Sequence, residues 1–151
     1  MLVVMSAELS DEGAAACNWC RANLHPMDTV IAVIGMQPFG ELVVAVPPFD
    51  VLASSRELLD AVERDYCDPL RAHGLRPEAL LVRRRQTAAV VEAAIAHDAD
   101  LVVVGKRPHG WMADAILGEV ANQVVHHPPC PIVVVPTDAR EPDRPALSVV
   151  R

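Results

Sequence analysis

Apolar residues fall along this chain in short unbroken runs separated by longer stretches of helical spacing. Leu2–Met5, Val30–Ile34, Ala79–Val82, Leu101–Val104 and Ile132–Val135 carry no polar interruption, the pattern of strands buried on both faces. Ser10, followed by Asp11 and Glu12, predicts a helix start with a hydroxyl cap and acids in the first turn. The Ala-rich body Gly13–Leu24 continues that helix, and His25-Pro26 stops it. A second helix is expected from a cap at Asp50 or Ser54 to about His73, with Gly74 as a left-handed stop. In Thr87–His97, the residues Val90, Val91, Ala94 and Ile95 share one helix face. Ala113–His126 reads as helical, and Pro128-Pro129 breaks it.

Two segments fit the alternation less well. Met36–Asp50 carries three prolines and two phenylalanines around the apolar run Leu42–Val46. It suits a long loop covering a site or a hairpin arm at the sheet edge, and the loop is the expectation. The tail from Pro136 is rich in proline and charge, yet its end, Leu147–Val150, could pair at an edge. Strand and helix otherwise alternate with short joints. That order predicts one α/β domain over residues 1–136 with a tail over 137–151, its strands parallel and joined by right-handed crossovers.

Composition narrows the class. At 151 residues the chain can bury about two-thirds of its unfolded surface, so it needs neither disulfides nor a metal to fold. Aromatics make up only 3%, which leaves Val, Leu, Ile and Ala to build the core. The apolar strand runs fall far short of the ~20 residues that span a bilayer. The opening MLVVMSAELSDE lacks the basic flank and long apolar stretch of a signal peptide, so a cytoplasmic location with no membrane partner is expected. A net charge of −7 repels phosphate backbones and argues against nucleic-acid binding. Arg83–Arg85 reads as a solvated rim, and the four cysteines as reduced thiols.

Most of the chemically suggestive residues reduce to packing. Cys17-Asn18-Trp19-Cys20 has the spacing of a redox dithiol, but it lies two turns inside a helix, away from the terminus that would lower a thiol pKa. His126, His127 and Cys130 lack a second pair to complete a metal site, so no metal is expected. No Ser-His-Asp order or nucleophile elbow is present, and Glu63, Asp65 and Asp68 have the spacing of a solvated helix face. No residue stands out as a nucleophile or general base. Binding without catalysis is the expectation.

The stretch after the fourth strand is more informative. Gly105 ends the strand, Gly110 lies in the loop and Gly118 sits in the following helix region. Glycines there would let backbone approach a ligand at the end of a parallel sheet, although Gly105 could equally be a plain turn residue. DADLVVVGKR and LGEVANQVVHHPPCPIVVVP, taken together, resemble the C-terminal signature of the universal stress protein family. That resemblance implies an open five-stranded parallel sheet of order 3-2-1-4-5 with helices on both faces, of the adenine-nucleotide alpha-hydrolase-like type. It also implies a homodimer, paired here through the last core strand.

The ATP-binding members carry a glycine, two residues, a glycine, nine residues, then a glycine followed by a small hydroxyl residue. Gly105 and Gly118 match, whereas Pro108 replaces the second glycine and Glu119 the hydroxyl residue. The aspartate those members place after the first strand falls at about Ser6. Pro108 has no N–H to offer a phosphate. A carboxylate at Glu119, about 4 Å from a phosphate charge, repels it by about 4 kcal/mol at an effective dielectric near 20. Lys106, Arg107 and His109 pull the other way.

The candidate ligand residues implied by the resemblance are Gly105, Lys106, Arg107, His109, Gly110, Gly118, Glu119 and Val120. The expected function is a stress-response binding domain without tight ATP binding, with no cofactor beyond weak ATP or AMP. Two alternatives stay open: an ATP or AMP switch in which Lys106 and Arg107 replace the missing contacts, and a slow nucleotide hydrolase.

Overall fold

The computed structural model describes residues 1–36, 51–106 and 129–137. Five strands, β1 (Leu2–Ser6), β2 (Thr29–Gly35), β3 (Arg76–Val82), β4 (Leu101–Lys106) and β5 (Ile132–Pro136), form one sheet of order β3-β2-β1-β4-β5. All four pairings are parallel. The expected order is therefore observed.

Alternation along each strand divides the core into two layers. Val3, Met5, Val30, Ala32, Ile34 and Val103 point to one face, where they meet α1 (Asp11–Asn23), α2 (Val51–Val62) and α3 (Asp68–Ala72). Val4, Ile31, Val33 and Val102 point to the other and pack on Ala89, Val90, Ala93 and Ala94 of α4 (Gln86–Ala96). β1 lies centrally, which is why Val3, Val4 and Met5 are wholly buried. A strand covered on both faces must be apolar at every position, and the uninterrupted runs follow from that.

Several boundaries differ from expectation. β3 begins at Arg76, three residues before the apolar run, because it pairs with β2 along seven positions from Thr29↔Arg76 to Gly35↔Val82. The second helix is not continuous. A π-helical turn, Glu63–Cys67, separates α2 from α3, with the Asp68 N–H bonded to the carbonyl of Glu63 five residues back. Pro69, in the first turn of α3, has no N–H for an ordinary helical bond and its ring crowds the preceding turn, so the wider turn accommodates it. The inserted residue carries both Tyr66 and Cys67 inward, where both are buried.

Gly74 takes the left-handed conformation (φ 82°) expected of a helix stop. Ser10 has the extended backbone of an N-cap, but its hydroxyl makes no cap bond and has no hydrogen-bond partner. Residues 37–50, the helix expected at Ala113–His126 and the tail from residue 138 lie outside the described residues.

Candidate functional site

The chain winds to one side of β1 through β2 and β3, then to the other through β4 and β5. Ligands of open parallel sheets bind beyond the carboxyl ends of the strands where this reversal occurs, here between β1 and β4. The described floor of that crevice consists of Ser6 and Ala7 leaving β1, Gly35 ending β2, and Gly105 and Lys106 ending β4. The N-termini of α1 and α4 close over it from opposite faces of the sheet.

Gly105 serves a purpose different from a turn. Its backbone is not left-handed, since Gly74 is the one glycine with positive φ among the described residues. A side chain there would instead run into the backbone of Glu12: a Cβ would lie 2.5 Å from both its C and Cα atoms and closer still to its carbonyl oxygen. The first turn of α1 thus rests directly on the end of β4. Asp11 and Glu12 occupy that turn, Asp11 exposed and Glu12 buried. The positive end of the helix dipole is offset by the chain's own carboxylates, which weakens its attraction for an outside anion.

Gly35 plays the matching part on the other side. A Cβ there would stand 2.7 Å from the Arg84 carbonyl oxygen and from the Gln86 Cα, so the approach of α4 to β2 also requires glycine. Gln86, the first residue of α4, turns its side chain back over the strand ends. Its Oε1 accepts from the Gly35 N–H at 2.6 Å, while Nε2 donates to the Val33 carbonyl at 2.8 Å and to the Ser6 Oγ at 3.0 Å. The backbone donor and acceptor fix which end of the amide is oxygen and which nitrogen. Ser6 is therefore a buried hydroxyl held by an amide.

The loop between β1 and α1 is anchored from below. The Tyr66 hydroxyl donates to the Glu8 carbonyl at 2.5 Å, and the Ser10 carbonyl lies 3.4 Å from the same oxygen. Burial pushes the Tyr66 hydroxyl above its ordinary pKa, which keeps it a donor.

Of the eight candidate residues, Gly105 and Lys106 are brought to the crevice beside β5, in register with Val135 and Pro136. Arg107, His109, Gly110, Gly118, Glu119 and Val120 lie outside the described residues, as does Pro108. Gln86, Gly35 and Tyr66 were not among the residues expected from sequence. A glutamine opening a helix behind three arginines was one available signal, and the chain's single tyrosine just ahead of Asp68-Pro69 was another.

The cysteines of the set-aside motifs pack into the core, while His126 and His127 lie outside the described residues. Cys17 and Cys20 are buried, and desolvation pushes their thiols up to about 11 and about 12. Cys130 is buried at the approach to β5. Among the described residues no group of His, Cys, Asp and Glu is placed to hold a metal ion. No helix there is long and apolar enough to cross a membrane. Arg83, Arg84 and Arg85 are all exposed, with Arg84 3.4 Å from Glu92.

Comparison with known proteins follows the same lines. The model of the universal stress protein family matches residues 1–136. A universal stress protein of Thermus aquaticus, described by its place in a sulfhydrylase 3′ region, is 35% identical over 89 residues. That match covers 58% of this chain and 64% of the relative, so the chain spans less than two-thirds of that relative's length. Among solved structures, an Arabidopsis thaliana member with AMP bound is 14% identical, with a TM-score of 0.61 over 92% of this chain and 94% of that one. A universal stress protein in complex with cAMP is 20% identical, with a TM-score of 0.54 over 90% of this chain and 95% of that one. At these identities the structural likeness speaks for the fold.

Proposed function

The chain belongs to the universal stress protein family, and on that premise we propose a regulatory, stress-response binding domain that acts through occupancy rather than turnover and does not hold ATP tightly. The observation that carries this reading is the commitment of Gly105. The first glycine of the loop seats the backbone of α1 on β4, and that helix end brings Asp11 and Glu12 with it. A triphosphate approaching Gly105 would meet packed backbone and negative charge.

The neighbouring residues point the same way. Ser6 stands where binding members place an aspartate, and its hydroxyl is bonded to Gln86, not to a base that could activate it. In the sequence beyond β4, Pro108 removes a backbone donor and Glu119 adds a carboxylate. Relatives of the same fold hold AMP and cAMP, which supports a small adenine nucleotide as the ligand class. Lys106, Arg107 and His109 are the cations that would meet its phosphate.

β5 forms one edge of the described sheet, and its Ile132 and Val134 are 38% and 42% exposed. A second copy pairing there would add a strand to that edge of the described sheet, which supports a homodimer. Size-exclusion chromatography of Val134→Lys against the parent checks that pairing: the parent runs as a dimer and the variant as a monomer. Calorimetry with ATP and Mg²⁺ tests the main reading. A dissociation constant above about 100 μM fits it, and micromolar binding refutes it.

A further inference from the structure

The described sheet has a second edge, and charge marks it. β3 lies outermost, opposite β5, and none of its seven residues is fully buried. Its bonds toward β2 run through alternate residues. The Arg76 N–H donates to the Asp28 carbonyl just ahead of β2, and the Val82 carbonyl accepts from the Met36 N–H just past it, both at 2.9 Å. Arg76, Glu78, Leu80 and Val82 therefore face β2, which turns the backbone groups of Pro77, Ala79 and Leu81 outward. Pro77, with no N–H to give, stands at an outward position, where an edge strand tolerates it.

At the carboxyl end of this strand come Arg83, Arg84 and Arg85, all exposed on a chain of net charge −7. Their backbone is fixed. The Val82 carbonyl accepts from the Arg84 N–H and the Arg85 carbonyl from the Ala89 N–H, each at 2.8 Å, and Gly35 lets the Arg84 carbonyl close on β2. Their charge is not balanced locally. Arg84 lies 3.4 Å from Glu92, whereas Arg83 and Arg85 make no salt bridge among the described residues, and the first turn of α4 holds no acid. Adjacent guanidinium groups repel one another, and an outside anion relieves that repulsion. We propose that this edge docks an extended acidic segment of another protein, which adds to β3 as a further strand and sets its carboxylates against Arg83 and Arg85. The strand edge supplies main-chain bonding, and the arginines select for charge. A polynucleotide fits poorly, because its phosphates would run past the triplet onto an acidic surface. The edge stands two strands from β1, about 10 Å away at the ~4.8 Å spacing of strands, so it is separate from the crevice.

The probe is a fluorescein-labelled peptide of alternating glutamate and valine, followed by fluorescence anisotropy with the whole chain. It should bind the parent at low salt and weaken as salt is raised. Arg83→Glu/Arg85→Glu should lose on the order of tenfold in affinity, the worth of two exposed charge contacts made repulsive. Both side chains are exposed, so circular dichroism of that variant should match the parent. The matching peptide of lysine and valine should not bind. A second measurement leaves the protein unmodified: the acidic peptide methylated at its backbone amides keeps its charge but cannot extend the sheet, and its affinity should fall by a similar factor. Failure of the parent to bind, indifference to the arginine substitutions, or equal binding of the methylated or lysine peptide would each overturn the proposal. So would tighter binding of a single-stranded oligonucleotide of the same charge, which would make the arginines a nucleic-acid contact.

Discussion

Replacing Gly105 by alanine puts a methyl group where the backbone of Glu12 already lies. The added Cβ would stand 2.5 Å from the Glu12 C and Cα atoms, against the ~3.5–4.0 Å at which carbon atoms rest. Relief requires α1 to retreat from β4 by about 1 Å or more, because neither partner is a side chain that can rotate away. Overpacking of this kind costs about 1–3 kcal/mol, and a contact between two backbones belongs at the upper end. The loss of glycine's freedom in the unfolded chain offsets only about 0.4–1 kcal/mol. A net loss near 2 kcal/mol lowers Tm by roughly 4–8 °C in a domain of this size. Urea unfolding followed by circular dichroism measures it, with the slope unchanged and the midpoint lowered. If Gly105→Ala is as stable as the parent, the glycine is not there to seat α1. The argument that its place is already filled then fails.

Three further outcomes follow from the described contacts. Tyr66→Phe removes the donor from the Glu8 carbonyl and should cost about 1–2 kcal/mol in thermal unfolding with the secondary structure retained, whereas an unchanged Tm would remove Tyr66 as the anchor of the β1–α1 loop. The Met1 amino group, 2.9 Å from Asp28, holds that carboxyl below its ordinary pKa and is itself raised. A depressed acid stabilises the fold above its unfolded value, near 3.8, and the contribution fades as pH falls through the folded value. The raised amine stabilises below 8.0 and loses its contribution as pH rises through the folded value. The pair is therefore at full strength between about pH 4 and 8. Asp28→Asn should flatten the dependence at both ends of a Tm-versus-pH series, and an identical profile would contradict the pairing. With thiol pKa values pushed up to about 11 and about 12, Cys17 and Cys20 should resist iodoacetamide at pH 8 until the chain unfolds, as followed by mass spectrometry. Rapid native labelling would mean that they are accessible and ionised.

How far the sequence could be read depended on how local each cause was. Runs such as Leu101–Val104 reported strands because burial on two faces excludes polar residues, and the sheet order followed once the family signature was recognised. β3 began earlier than its apolar run because pairing with β2, not hydrophobicity, sets where a strand starts: Arg76 and Glu78 are exposed yet in register with Thr29 and Ile31. The π turn was encoded by Pro69, whose effect falls upstream of the residue itself. Ser10 had the residue type of a cap, but the bond that defines a cap depends on a rotamer, which composition does not report. Gly105 stands out in the sequence as a strand-ending glycine, but the packing that requires it does not. A contact with Glu12, more than ninety residues away in the chain, leaves no trace in local pattern. Gln86 was overlooked on the same grounds, since its three partners lie on β1 and β2.

Native mass spectrometry of the protein as purified, without added nucleotide, tests the central claim most directly. A crevice whose glycine is packed against α1 and whose strand ends are bridged by Gln86 should emerge as the bare polypeptide mass. An additional mass equal to ATP on each chain, surviving buffer exchange, would contradict it.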